Sequence, residues 1–209
     1  MPIGPTVRRM FGRHEHLVAA LYRSVFIDID AYCRQIGAWV PQARRILEVG
    51  CGEGAVTERL VQLYPDAEIM AIDVTPNAGR LFRGCRERVS FEEKTVQAVA
   101  LEQPGQFDLV ILSDVIHHVP TAIRRELLAA VRRTVAPDGA LVFKDWERTP
   151  TPIHWLCHAG DRWLTGDHVH YLSKPDADAM LAEAFGRRPI VAEARVRPWR
   201  NNFAMLARA

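Results

Sequence analysis

The run Gly50-Cys51-Gly52-Glu53-Gly54 follows a short apolar segment, Arg45-Ile46-Leu47-Glu48-Val49, and precedes apolar residues at helical spacing, Ala55, Val56, Leu60, Val61 and Leu63. A glycine-rich bend between a strand and a helix lets the backbone approach a ligand closely, and the helix N-terminus behind it offers unpaired N–H groups carrying partial positive charge. The ligand selected by such a bend carries polar or anionic oxygen. Asp73 ends a second strand-like run, Glu68-Ile69-Met70-Ala71-Ile72-Asp73, where a carboxylate can accept hydrogen bonds from both hydroxyls of a ribose. Bend and carboxylate together predict an adenosine-containing cofactor at the carboxyl ends of the strands. Its class stays open at this point, because Gly50, Gly52 and Ala55 also satisfy the dinucleotide-binding fingerprint. The plainer alternative is a tight turn with Asp73 capping the next helix.

Three further residues could move or orient a proton. His117 and His118 follow the apolar run Phe107-Asp108-Leu109-Val110-Ile111-Leu112, and Asp145 follows Ala140-Leu141-Val142-Phe143. An imidazole near its natural pKa of about 6.5 is the side chain best suited to act as a base at neutral pH. A carboxylate can orient it. The competing readings are local packing for the histidines and capping for Asp145. If the strand alternates, Lys144 points away from Asp145. His154, His158, His168 and His170, with Trp155, Trp163 and Tyr171, crowd residues 147–173. Paired spacings such as His154 and His158 suggest a metal only weakly, since Asp161 and Asp167 are the sole acids between the pairs, and no metal is expected.

The elements that must hold these groups alternate along the chain. After the two strands described, a helix is expected to open at Thr75 as cap and Pro76. Val89-Ser90-Phe91 begins a third strand, Phe107–Leu112 forms a fourth, Thr121–Val135 a helix, and Pro137-Asp138-Gly139 turns into a fifth strand. This rhythm specifies βαβ crossovers and a doubly wound α/β fold with a mainly parallel sheet. Pro175–Phe185 reads as one more helix, and Ile190–Val196 and Asn202–Leu206 as a closing hairpin around Arg197–Asn201. From Val7 to Val40 apolar residues recur at spacings of three and four, giving an N-terminal helical extension over residues 1–40. Residues 147–173 break the rhythm. A long aromatic connection leaving a strand's carboxyl end is expected to cover an acceptor pocket.

Composition bounds the class. Of 209 residues, 48% are hydrophobic and 25% charged, which fits one globular domain spanning residues 1–209. A formal charge of +2, with the arginine pairs scattered, gives no field that would gather nucleic acid. Cys33, Cys51, Cys85 and Cys157 form no C-x-x-C, so neither a disulfide framework nor a zinc finger is indicated and a reducing, cytoplasmic setting fits. No stretch of eighteen apolar residues is present.

Here the sequence resembles a known family. Ile46-Leu47-Glu48-Val49-Gly50-Cys51-Gly52-Glu53-Gly54 looks like the first motif of class I S-adenosylmethionine-dependent methyltransferases. Phe107 through Val119, ending Ser113-Asp114-Val115-Ile116-His117-His118-Val119, looks like their fourth, and Val135-Ala136-Pro137-Asp138-Gly139-Ala140-Leu141 is similar to the turn before their fifth strand. The resemblance covers roughly residues 44–145 in detail and implies a Rossmann-like, seven-stranded sheet. It implies that Gly50, Cys51 and Gly52 lie against the methionine part of S-adenosylmethionine, that Asp73 holds the ribose and that Ser113 contacts the methionine end. Thr95 and Val96 fall where the family contacts adenine, and Glu48 and Val74 complete the cofactor-contacting set. Many relatives carry an acid where Thr95 stands.

The expected activity is methyl transfer to a small organic or lipid-like acceptor, at oxygen, with His117, His118 and Asp145 as candidate catalytic groups. Nucleic acid is not the expected acceptor, because Ser113-Asp114-Val115-Ile116 stands where amino-directed nucleic-acid enzymes carry a different tetrad. The N-terminal extension can cap the cofactor cleft or pair with its copy in a homodimer. The rivals are an NAD(P)-dependent oxidoreductase and a non-catalytic cofactor-binding module.

Overall fold

The computed structural model describes residues 24–160, 169–186 and 188–208. Its strands are β1 (Arg45–Val49), β2 (Glu68–Asp73), β3 (Val89–Glu93), β4 (Phe107–Ser113), β5 (Val135–Trp146), β6 (Ile190–Val196) and β7 (Asn202–Arg208). Its helices are α1 (Ile29–Trp39), α2 (Ala55–Leu63), α3 (Val96–Glu102), α4 (Arg124–Thr134), α5 (Pro152–Gly160) and α6 (Lys174–Phe185). The strands form one sheet in the order β3-β2-β1-β4-β5-β7-β6. The first five are parallel, and β7 runs antiparallel to both β5 and β6. This is the Rossmann-like sheet with an antiparallel hairpin that the sequence motifs implied.

Parallel strands covered on both faces must be apolar on both faces. In β4, Val110 and Leu112 join one buried cluster with Val99, Leu128, Val131, Leu181 and Phe185 from α3, α4 and α6. Leu109 and Ile111 join the opposite one, with Tyr32, Ile36, Leu60 and Tyr64 from the side of α1 and α2. Each such fully buried side chain contributes on the order of 1.5–3 kcal/mol. The polar ends of the strands therefore stand out against an apolar background.

Register lines those ends up. Val49 is level with Ile72 of β2 and Leu112 of β4, and Ser113 is level with Lys144 of β5. Gly50, Asp73, Ser113 and the Lys144-Asp145 pair therefore emerge at one edge of the sheet.

Helix ends follow local chemistry. Asp28 caps α1 by accepting from the Ala31 N–H at 2.8 Å, and the helix stops at Val40 before Pro41. Ser173 and Asp176 cap α6 reciprocally, with Pro175 in its first turn. Residues 1–23 of the expected N-terminal extension, together with Trp163 and His168, lie outside the described residues. Among the described residues no helix is long and apolar enough to cross a membrane.

Two expectations are corrected. The helix expected to open at Thr75 is absent, and residues 76–81 form successive turns. Thr75 donates its N–H and its hydroxyl to Asp73 Oδ1, both at 3.0 Å, so it caps no helix, and Gly79 at φ +67 takes the backbone out of the right-handed helical region. Within residues 147–173, read as irregular, the structure has α5, whose first turn carries Pro152 and whose Trp155 N–H reaches the Thr151 carbonyl at 3.2 Å.

Candidate functional site

The glycine turn is held by the neighbouring strand. The Gly50 and Cys51 N–H groups donate to the Ile72 carbonyl at 2.8 and 3.0 Å, and Gly52 N–H donates to Asp73 Oδ2 at 2.8 Å. Gly50 and Gly52 have φ values of +74 and +52, which side-chain-bearing residues rarely adopt. They differ in surroundings. A Cβ on Gly50 would lie 2.3 Å from Val115 Cγ2, whereas a Cβ on Gly52 would meet nothing within 4 Å. The space in front of Gly52 is open at the sheet's carboxyl edge, as a ligand-approaching backbone requires.

The other expected cofactor residues differ in exposure and partners. Asp73 is partly exposed at the end of β2. Glu48 lies beneath the turn, 4% exposed, and accepts from Thr57 Oγ1 at 2.6 Å; burial pushes its carboxyl up to about 8. Burial likewise pushes the Cys51 thiol up to about 12, which makes it a packing group rather than a nucleophile. Val74 is exposed and Val96 buried. Thr95 caps α3, its hydroxyl accepting from Ala98 N–H at 3.3 Å. Ser113, at the end of β4, shares a hydrogen bond of 2.5 Å with the Tyr32 hydroxyl.

Tyr32 escaped the sequence reading. It is 1% exposed on α1, and its hydroxyl carries the N-terminal region to the same strand end as the glycine turn. The available signal was its place beside Cys33 and Ile36 on the buried face of α1.

The proton-handling groups come together as a pair plus a neighbour. His117 lies in a single 3-10 turn, Ile116–His118, and its Nδ1 contacts Asp145 Oδ1 in a short hydrogen bond. The His117 N–H donates to Asp145 Oδ2 at 3.2 Å, and Trp146 N–H donates to Oδ1 at 2.7 Å. Both side chains are buried. Burial alone would raise the Asp145 carboxyl, but the His117 ring and these donors outweigh it and hold the group below its ordinary value. The His117 ring stacks on Tyr171 at 5.1 Å between centroids. His118 is exposed, its ring 4.1 Å from that of His117, and it is not part of the Asp145 contact.

Lys144 and Asp145 point to opposite faces, as alternation predicts. Lys144 is 1% exposed and its ammonium donates to both oxygens of Asp114, at 2.6 and 2.5 Å. Asp114, His117 and Asp145 offer ligand atoms within 4.8 Å of one another. That set is already committed within the protein: Lys144 neutralises Asp114, and His117 is bonded to Asp145. His154 lies apart from this set and accepts from the Trp146 indole N–H at 3.0 Å.

Comparison with known proteins places this geometry. The family described as a methyltransferase domain matches residues 46–139. The ubiquinone biosynthesis O-methyltransferase of Xanthomonas oryzae pv. oryzae is 31% identical over 177 residues, covering 78% of this chain and 71% of that protein. The protein of the same description from Xanthomonas campestris pv. campestris is 28% identical over 175 residues, with the same coverage. Among solved structures, a Burkholderia thailandensis 1,6-didemethyltoxoflavin-N1-methyltransferase with bound 1,6-didemethyltoxoflavin and S-adenosylhomocysteine superposes with a TM-score of 0.66 at 19% identity, covering 97% of this chain and 86% of that one. Mitomycin 7-O-methyltransferase gives 0.66 at 17% identity, and the chain spans 49% of its length. The strand-turn-helix with its open glycine, the carboxylate level with it and the sequence relatives agree, and the chain belongs to the class I S-adenosylmethionine-dependent methyltransferases.

Proposed function

We propose that this methyltransferase methylates a hydroxyl oxygen on a small organic or lipid-like acceptor, with His117 as general base and Asp145 as the group that orients it. The observation that carries the reading is the buried His117–Asp145 contact at the same sheet edge as the glycine turn. The curated relatives described above, named as ubiquinone biosynthesis O-methyltransferases, support oxygen as the acceptor atom.

The residues fit the cofactor. Open space before Gly52 would admit its methionine part close to backbone, Asp73 would accept from the ribose hydroxyls, and Val96 would supply apolar surface for adenine. Glu48, Cys51, Val74 and Ser113, at the ends of β1, β2 and β4, are assigned to the same cofactor site, with Tyr32 supporting Ser113 through its hydroxyl. Thr95 would lie beside adenine, its hydroxyl shared with the α3 cap. When bound, S-adenosylmethionine supplies a methyl group on a positively charged sulfur, a good leaving group for in-line displacement.

The chain's own work is alignment, exclusion of water and removal of one proton. An ionised Asp145 can only accept, so Nδ1 of His117 carries the hydrogen and Nε2 takes the acceptor's proton. His118, exposed beside it, is proposed as an outer contact for the acceptor. Residues 147–173 and the N-terminal region would bound the acceptor pocket; Tyr171, packed on the His117 ring, supports this. The four cysteines are in no disulfide among the described residues, which suits a cytoplasmic setting.

Incubation with S-adenosylmethionine labelled in its methyl group and a fractionated extract, followed by mass analysis of the labelled product, tests the proposal. A methyl ether on a small molecule is expected. Label confined to nitrogen, sulfur or macromolecules would overturn it.

A further inference from the structure

A groove of about 960 Å³ runs between the Thr121–Ile123 turn, the start of α4, helix α5, residues 169–172 and the first half of α6. Its charge is one-sided. Among the described residues, Arg124, Arg125, Arg148, His154, His158 and His170 line it against one acid, Asp176. Asp176 caps α6, accepting from both the hydroxyl and the N–H of Ser173, and its charge is felt by Arg148. Arg125 pairs with Glu183 at 3.2 Å. Among the described residues Arg124 and Arg148 make no ion pair.

Arg124 is the informative one. It is 4% exposed, and its Nε and Nη2 donate to the carbonyls of Val119 and His170 at 2.8 and 2.7 Å. Carbonyls satisfy these donors without supplying charge; burial works against the guanidinium's charge and Asp145 only partly offsets it, so an anion in the groove would add a second counter-charge. Planar guanidinium groups match the two oxygens of a carboxylate or phosphate. The remaining walls are aromatic and apolar, chiefly Trp155, Tyr171 and Met180. Tyr171 is also the ring on which His117 stacks, so the groove and the proton-handling pair share a wall.

We propose, building on the methyl-transfer reading above, that this groove holds the anionic end of the acceptor: an aromatic hydroxy compound bearing a carboxylate or phosphate that meets Arg148 and Arg124, its ring lying along Trp155 and Tyr171. The acid group anchors the molecule while its hydroxyl is offered toward His117.

Calorimetric titration of the whole chain, first with S-adenosylhomocysteine and then with aryl probes in its presence, tests the assignment. Protocatechuate is expected to bind on the order of tenfold more tightly than its neutral methyl ester, and phenyl phosphate more tightly than phenol, a difference of about 1.4 kcal/mol per tenfold. The ratio between the two anions identifies the headgroup. Arg148→Gln, at an exposed position, should erase the preference for the acid, and Arg133→Gln, the same charge change on exposed α4 surface, should retain it. Equal affinity for acid and ester, no binding by either, or a preference that survives Arg148→Gln overturns the groove assignment. Failure of S-adenosylhomocysteine itself to bind would instead count against the underlying methyl-transfer site.

Discussion

Asp145, next to last in β5, has no solvent exposure and receives His117 twice, through the Nδ1 of the ring and through the backbone N–H. Two contacts to one carboxylate fix both the position of the 3-10 turn and the rotation of the imidazole it carries. The carboxylate stays ionised because ring and backbone donors outweigh its burial. A histidine so held keeps its Nδ1 on the carboxylate.

Asp145→Asn should therefore lower the methyl-transfer rate by about two orders of magnitude, in the range typical of positioned acid–base groups, because an amide can reverse the tautomer of His117. His117→Ala should cost a similar factor, and the double variant little more, since the two act as one unit. Single-turnover transfer measures the loss, and binding of S-adenosylhomocysteine, expected to be unchanged, separates it from misfolding. Wild-type turnover in Asp145→Asn would remove the general-base role.

Glu48 makes stability depend on pH in the opposite sense to an ordinary ion-paired acid. Its folded-state carboxyl is raised to about 8 from 4.5, so the folded protein holds a proton there that the unfolded chain has lost. Between these values the folded state binds more protons, and stability falls as pH rises from about 4.5 to 8. Thermal melting across that window should show a decline that Glu48→Gln flattens, because the amide keeps an acceptor for Thr57 without a charge to desolvate. Parallel curves would place the carboxylate in a more solvated setting.

Gly50 and Gly52 should respond differently to the same added methyl group. At Gly50 the new Cβ would strike Val115 Cγ2, so Gly50→Ala is expected to destabilise the fold by about 2 kcal/mol or more from overpacking and positive φ together. At Gly52 the Cβ enters open space, and only the left-handed backbone cost of about 1–2 kcal/mol applies. Its larger effect should be on S-adenosylhomocysteine affinity, with a loss of about tenfold or more in titration. A Gly52→Ala protein binding normally would mean that the ligand lies elsewhere.

The Lys144–Asp114 pair predicts an asymmetry. Lys144 is 1% exposed on its side chain and Asp114 42%. Asp114→Asn strands a buried ammonium and should cost about 3 kcal/mol, and Asn tolerates the φ of +56 at that position. Lys144→Met removes the buried charge and leaves a carboxylate that water can reach, so it should cost clearly less. Denaturant midpoints of the two variants measure the order, and the reverse order would show that Asp114 is the more desolvated partner.

Much of this arrangement was legible in the chain itself, because its determinants are local. The period of apolar residues distinguishes strands covered on both faces from helices, and the glycines at 50, 52 and 54 with Asp73 mark where β1 and β2 must end. Alternation along β5 already sent Lys144 and Asp145 to opposite faces. Local patterns misled where a side chain had a competing partner: Thr75 reads as a helix cap, but Asp73 takes both its donors, and Gly79 breaks the turn that would follow. Proximity across the fold needed tertiary structure. Register between β4 and β5 sets His117 on Asp145, and packing of α1 brings Tyr32 to Ser113, contacts between residues 28 and 81 positions apart that no spacing along the chain encodes. The cationic groove has the same origin, since its arginines come from separate segments and meet only when α4, α5 and α6 close around residues 169–172.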